Sequence, residues 1–220
     1  MHPYPHVYRV SSSGARDGVV TVSMRTLVLA SASPARFRLL RQAGFDPSVV
    51  VSGVDESSVN AEDPFDQVRL LAEAKARAVA AGPGVSDAIV VGCDSMLLFD
   101  AELFGKPASP EDATLRWKRM RGRTGALLTG HCVIDTATGR EVSDVADTVI
   151  RFGEPNDDEI AAYVASGEPL SVAGAFTIDG LGAAFVDGID GDGSNVLGLS
   201  VPLLRRMLAQ IGVEVTSLWR

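Results

Sequence analysis

Residues Ala88–Pro107 read AIVVGCDSMLLFDAELFGKP, and the division of this stretch into elements decides the fold. Ala88-Ile89-Val90-Val91 is a short, mostly β-branched apolar run, the mark of a buried strand, and it breaks at Gly92-Cys93-Asp94. A carboxylate is therefore expected where a core strand surfaces. Met96–Phe99 makes a second apolar run, Asp100-Ala101-Glu102 a tight polar turn, and Leu103-Phe104 the return of a hairpin that ends in Gly105-Lys106-Pro107. This fold-back predicts Lys106 within reach of Asp94. An acid facing a lysine in this way suits a metal-bound phosphate ester, one group handling water or metal and the other neutralising phosphate. The same residues also have an ordinary reading, Asp as a turn former and Gly-Lys-Pro as a loop. They do not form a P-loop: Pro107 stands where that motif has Ser or Thr, and Asp100 where it has Gly.

Upstream, Thr26–Ala30 reads as a first strand running into Ser31-Ala32-Ser33 and a helix, with Ser33 as N-cap, Pro34 in the first turn and Gly44 as the stop. A helix opening straight from a strand, with hydroxyls in the loop and Arg36 in its first turn, is a natural anion site. A plain capped helix with solvated arginines is the competing reading. Val49–Val51 predicts a short strand, with Asp55 and Glu56 just past its end. Asp63-Pro64 opens a longer helix reaching about Ala81, with Phe65, Val68, Leu70, Leu71, Ala74 and Ala78 as the expected apolar stripe and Lys75 and Arg77 in its later turns.

Downstream, Ser109-Pro110 caps a helix to Arg121 whose Arg116, Lys118, Arg119 and Arg121 are expected to form a solvated face. Ala126–Asp135 and Glu141–Phe152 predict two long strands, with His131 read as a hydrogen-bonded core residue. Asn156 and Glu159 make a capping box for the next helix, Ala173–Gly180 and Ala183–Ile189 are expected as short strands around a glycine turn, and Ser200 caps a last helix. Asp187, Asp190 and Asp192 lack the EF-hand pattern and are read as a turn. The alternation predicts an α/β fold, a mixed twisted sheet flanked by helices, in two lobes with a cleft.

Composition narrows the function. A net charge of −8 over 220 residues argues against a nucleic-acid polymer or an anionic membrane as partner. No run approaches the ~20 apolar residues that span a bilayer. The two cysteines, Cys93 and Cys132, form neither a disulfide framework nor a zinc pattern, which fits a reducing cytoplasm. Residues 1–23 carry no strand or helix period and no secretory pattern, and are expected to be a disordered extension ahead of a single domain over 24–220.

Taken in order, Leu29–Pro34, Val54-Asp55-Glu56, Ala74-Lys75-Ala76, Gly92–Ser95, Gly105-Lys106-Pro107, Tyr163–Pro169, Ala173–Gly180 and Asn195–Leu199 resemble the Maf family of nucleoside triphosphate pyrophosphatases. No one of these segments is strong alone; their order over nearly the whole chain is specific. The resemblance implies a fold related to inosine triphosphate pyrophosphatase, a homodimer, and hydrolysis of a nucleoside triphosphate to monophosphate and pyrophosphate with a divalent cation, Mg²⁺ or Mn²⁺. It also implies Asp94 as proton acceptor for the attacking water, Arg36, Lys75 and Lys106 as phosphate holders, and Glu56 with Asp94 as metal or water ligands. Ser31, Ser33, Ser95 and Asp179 fall among the implied substrate-binding positions. Ala35 stands where the family usually has arginine or tryptophan, Gly125 where many members have histidine, and Ser95 with Asp179 fits neither the pyrimidine-type nor the methylguanosine-type set. The base is thus left open. The alternatives are a nucleotide-binding regulator of cell division acting through a protein partner, and phosphoryl transfer, which the missing phosphate loops disfavour.

Overall fold

The computed structural model describes residues 25–220, so the extension expected over residues 1–23 lies outside the described residues. Strand β1 (Thr26–Leu29) passes through Ala30–Ser33 into helix α1 (Pro34–Gln42), where the Ser33 hydroxyl accepts the Arg36 N–H and Gly44, at φ 91°, turns the chain away. Strand β2 (Ser48–Val49) is shorter than expected, and Val51 beyond it is exposed. Helix α2 (Pro64–Ala80), capped by Asp63, leads to the long strand β3 (Ala88–Phe99), which turns through Asp100 and Ala101, both at positive φ, into β4 (Glu102–Phe104). A two-residue loop with both residues at positive φ is the turn type that matches strand twist. Helix α3 (Pro110–Met120), strands β5 (Thr124–Asp135) and β6 (Arg140–Phe152) and helix α4 (Asp157–Ala165) follow. Strand β7 (Val186–Gly191), the short helix α5 (Gly193–Val196) and helix α6 (Val201–Gln210) complete the order.

The sheet runs β2-β1-β3-β5-β6-β7, with β4 also paired to β3. Strands β1, β2 and the first part of β3 are parallel; all other pairs are antiparallel. Strand β3 is held by β5 from Ile89 to Leu98 on one side. On its other side β1 pairs only with Ala88–Val91 and β4 only with Leu97–Phe99. Gly92–Met96 therefore border a notch in the sheet, at the carboxyl ends of the parallel strands, where α/β folds commonly receive ligands.

The sequence expectation of a strand ending at Gly92 is corrected: β3 continues unbroken for 12 residues. Gly92 is there because α2 lies on it. A Cβ at that position would sit 2.5 Å from the Ala72 carbonyl oxygen and 2.8 Å from the Ala76 nitrogen, and one at Gly130 on β5 would run into the Val68 carbonyl. The same approach corrects the α2 stripe. Val68, Leu71, Ala72, Ala76 and Val79 are the buried apolar residues, Phe65 is 43 % exposed and Ala78 faces solvent, because small side chains belong innermost where a helix sits on glycines.

By alternation, even-numbered residues of β3 face α2 and odd-numbered ones face the other layer. Val90 joins Val28, Cys132, Ala72 and Ala76 on the α2 side; Ile89, Val91 and Cys93 pack with Leu39 and Leu40 of α1 and Leu203, Leu204 and Met207 of α6. Further along, Leu97 and Phe99 meet Trp117 and Met120 of α3 and Ile160 and Tyr163 of α4. The segment after α4 is also corrected. It forms short 3-10 turns at Ala173–Ala175 and Leu181–Phe185 in place of paired strands, Gly174 at φ 71° breaking the extended run, and only Val186–Gly191 joins the sheet. The turn expected at Asp187, Asp190 and Asp192 is corrected as well: Asp187 and Asp190 lie within β7, Asp190 pairing with Arg151, and only Asp192 stands past the strand, where it caps α5. Lys118, Arg119 and Arg121 form a solvated basic face on α3, paired with Asp157, Glu102 and Asp157, whereas Arg116 is corrected: its side chain is largely covered, over the Phe104 ring, and donates to the Gly105 carbonyl and Asp112. No helix among the described residues is long and apolar enough to cross a membrane.

Candidate active site

Asp94 and Ser95 sit side by side in the notch of β3 and leave opposite faces of the strand. Asp94, 6 % exposed, points toward α2, where Lys75 Nζ reaches its Oδ1 at 2.6 Å. The lysine gets there because α2 rests directly on Gly92, one pleat from Asp94, with Ala76 pressed against the strand. The same Nζ lies 2.6 Å from Glu56 Oε1, which a short 3-10 turn capped by Asp55 brings in from the loop before α2. One ammonium thus bridges two carboxylates, one buried and one exposed. Asp94 Oδ2 is buried with no hydrogen-bond partner. A buried carboxylate oxygen left bare in this way is costly unless something else binds it.

Ser95 points to the other layer and meets α1. Its hydroxyl lies 2.9 Å from Arg36 Nη2 and 2.9 Å from the Thr129 hydroxyl on the facing β5 residue. Arg36 also donates from Nη1 to Ser31 Oγ at 3.0 Å and from Nε to the Gly198 carbonyl at 2.6 Å. Ser33 completes the loop, its N–H on Ser31 Oγ and its own Oγ capping α1. Every acceptor of this buried guanidinium is neutral, so its charge is fixed in place without an acid to cancel it, and it has further N–H groups to offer. A rigid, unneutralised guanidinium at the start of a helix is a ready anion holder.

Two expected site residues stand outside these contacts. Lys106 is exposed and makes no ion pair among the described residues, so the pairing with Asp94 expected across the hairpin is replaced by Lys75. Asp179 lies on the exposed turn after α4 and reaches α1 through Arg38 at 3.6 Å. The neighbouring titratable groups are inert. His131 is wholly buried, its Nε2 accepting the Ser200 N–H at 2.8 Å and its Nδ1 facing the Thr129 carbonyl at 2.9 Å. Burial, with a smaller push from Arg36, lowers its pKa to about 4, which makes it a neutral core residue. Burial pushes the Cys93 thiol up to about 11, far from a nucleophile's range.

A family model described as a Maf-like protein matches residues 26–211. The chain belongs to the Maf-like family. Among curated relatives, a Streptomyces coelicolor protein is 66% identical over 195 residues, covering 89% of this chain and 95% of its own length, and one from Streptomyces avermitilis is 62% identical with the same coverage. A third, from Salinispora tropica, is 56% identical over 88% of this chain and 87% of its own. Each bears the name nucleoside triphosphate pyrophosphatase.

In this Maf-like chain several contacting groups had no signal in the sequence. Thr129 lies mid-strand in β5 with nothing local to mark it, and the role of Gly198 is played by its carbonyl. Gly198 sits at φ 99°, and a Cβ there would stand 3.1 Å from Arg36 Nε, so glycine satisfies both the turn and the approach of the arginine. The segment that carries it is pinned by Asn195, whose amide donates to the Leu127 carbonyl and the Thr148 hydroxyl, each at 3.1 Å.

Proposed function

We propose that this chain is a nucleoside triphosphate pyrophosphatase, splitting the α–β anhydride of a triphosphate to release monophosphate and pyrophosphate. The observation that carries the reading is Asp94: a buried carboxylate with one oxygen on Lys75 and the other bare, in the notch of the sheet, next in the strand to Ser95, whose hydroxyl meets an arginine without an acid partner. The names of the relatives support the same activity. Water is the nucleophile, and Asp94 Oδ2 takes its proton as the water oxygen attacks phosphorus. Arg36 holds phosphate oxygens through its remaining N–H groups, with Ser31 and Ser33 in the same loop. Lys75 keeps Asp94 aimed and offers its charge to the phosphate, and Lys106, exposed on the segment after β4, closes on the chain from solvent. Ser95 and Asp179 lie toward the base.

The donor set fits a divalent cation of the Mg²⁺ or Mn²⁺ kind. Glu56 and Asp94 are hard oxygen donors brought together on one lysine, and phosphate and water oxygens would complete the shell. When bound, such an ion lowers the pKa of water and offsets phosphate charge.

A cleft between two lobes, a homodimer and a cytoplasmic location complete the proposal. The exposed valines Val49, Val50 and Val51 at the sheet edge support a second copy, and the free buried cysteines support a reducing compartment. The test is Asp94→Asn assayed on canonical and modified nucleoside triphosphates with Mg²⁺ or Mn²⁺. The expected result is a fall in pyrophosphate release of about 10²–10⁴-fold with nucleotide binding retained. Unchanged turnover removes the reading, orthophosphate as product replaces it with phosphoryl transfer, and binding without hydrolysis by the unmodified protein favours a regulator.

A further inference from the structure

Glu168 touches none of the groups named for the chemistry, yet the turn that carries Asp179 is built around it. It opens the 3-10 turn Glu168–Ser171, directly after Gly167 at φ 78°. Its Oε1 accepts the Thr177 hydroxyl and, at 3.0 Å, the Gly182 N–H; its Oε2 accepts the Leu181 N–H at 3.0 Å. These donors lie on both sides of Asp179, so a single carboxylate ties the two stems of the turn together. With the Thr177 hydrogen spent on Glu168, the Tyr163 hydroxyl, 3.0 Å from Thr177 Oγ1, donates in its turn and roots the contact in α4. The glycines fit the same arrangement. A Cβ at Gly180 would lie 2.5 Å from Glu168 Oε2, and one at Gly182 would run into the Tyr163 and Thr177 hydroxyls.

Apolar burial does not hold the apex in place, since Leu181 is 60 % exposed and Asp179 and Gly180 face solvent. Burial raises the Glu168 pKa, but the Thr177 hydroxyl and the Leu181 and Gly182 N–H groups outweigh it and leave the group below its usual value. The carboxylate is therefore ionised at neutral pH, and its bonds are charge-assisted. From that fixed base Asp179 reaches Arg38, two residues along α1 from Arg36.

We propose that Glu168 is the positioning residue for base selection, its carboxylate pinning residues 177–182 so that Asp179 is presented pre-set to the nucleobase. The inference rests on the pyrophosphatase reading and adds to it a residue that touches no substrate. Pre-organisation of this kind is expressed in discrimination and KM, because a loose turn must be ordered each time a base binds.

The experiment measures kcat and KM for ATP, GTP, CTP, UTP and dTTP with the unmodified protein, Glu168→Gln, Asp179→Ala and the double variant. Glu168→Gln turns an amide NH₂ toward backbone N–H donors. The kcat/KM ratio between the best and poorest base is expected to fall about tenfold, the scale set by one oriented polar group, with the loss carried mainly by KM. Asp179→Ala is expected to lower the ratio as much, and the double variant no further. Amide exchange at Leu181 and Gly182 is expected to quicken in Glu168→Gln. Thr177→Val, which deletes one donor to the same carboxylate, is expected to shift the ratio in the same direction by less, and it carries the test if Glu168→Gln does not fold. A ratio within twofold of the unmodified protein in both Glu168→Gln and Thr177→Val, or losses that add in the double variant, overturn the inference alone. An unmodified protein that splits no triphosphate overturns the pyrophosphatase reading and this inference with it.

Discussion

Gly92→Ala tests the link between helix–sheet packing and the candidate active site. The added Cβ would stand 2.5 Å from the Ala72 carbonyl and 2.8 Å from the Ala76 nitrogen, and both obstacles are helix backbone that no rotamer change can move. Restoring an ordinary contact requires α2 to retreat by about 1 Å, and overpacking of this kind costs about 1–3 kcal/mol. The retreat carries Lys75 with it. Stretching the 2.6 Å Lys75–Asp94 pair by about 1 Å removes roughly 2 kcal/mol of attraction at an effective dielectric near 20. A combined loss of about 3–5 kcal/mol corresponds to a melting point about 6–20 °C lower for a domain of this size. Turnover is expected to fall by about 10²-fold, because about 1 Å of misplacement at a reacting group has that effect. Thermal unfolding and pyrophosphate release, measured on the same preparation, check both numbers. The unfolding control is Gly105→Ala, where a Cβ meets nothing within 4 Å. A Gly92→Ala protein that melts within about 2 °C of the unmodified one would refute the packing argument. One that melts early but turns over normally would refute the coupling of α2 to Asp94.

Gly198→Ala forces φ 99° on a residue with a Cβ and crowds Arg36 Nε, so it is expected to cost about 1–2 kcal/mol of stability and to raise KM for the triphosphate; an unchanged KM would detach Arg36 from phosphate binding. His131 contributes a pH dependence whose sign follows from its lowered pKa of about 4 against 6.5 in the unfolded chain. Between these values the unfolded state binds more protons, so the His131 contribution is complete above pH 6.5 and is lost as the pH falls toward 4. NMR titration of the imidazole is expected to show a midpoint near 4, and a midpoint near 6.5 would refute its burial as a neutral hydrogen-bonded ring.

The sequence was most informative where local chemistry speaks for itself. Ser33, Asp63, Ser109, Asn156 and Ser200 all cap the helices their spacing indicated, and the β3–β4 hairpin turns at Asp100-Ala101. It was least informative where the fold brings distant backbone close. Gly92 has the appearance of a strand breaker in sequence and is a landing place for a helix in space, which displaced both the end of β3 and the phase of α2. For the same reason the hairpin alone points to Lys106 opposite Asp94, since nothing in the local order says that a lysine 19 residues upstream reaches the carboxylate first. Arg36, Ser31 and Ser33 were legible as a group because a capped helix opening from a strand announces an anion site, whereas the contact of Ser95 with Arg36 is made only by the fold. Thr129 and the Gly198 carbonyl were not, being supplied by tertiary contacts that leave no trace in spacing.

The strand that carries Asp94 is clamped along nearly its whole length by β5, while the turn bearing Asp179 hangs outside the sheet on a few polar bonds. In the roles proposed for them, substrate choice would rest on a turn held by a few polar bonds and bond cleavage on a strand held by backbone pairing. On that division, an engineer would rewrite the turn to accept another base while the scissile machinery stays in register, and a lineage would drift in what it recognises without relearning how to cut.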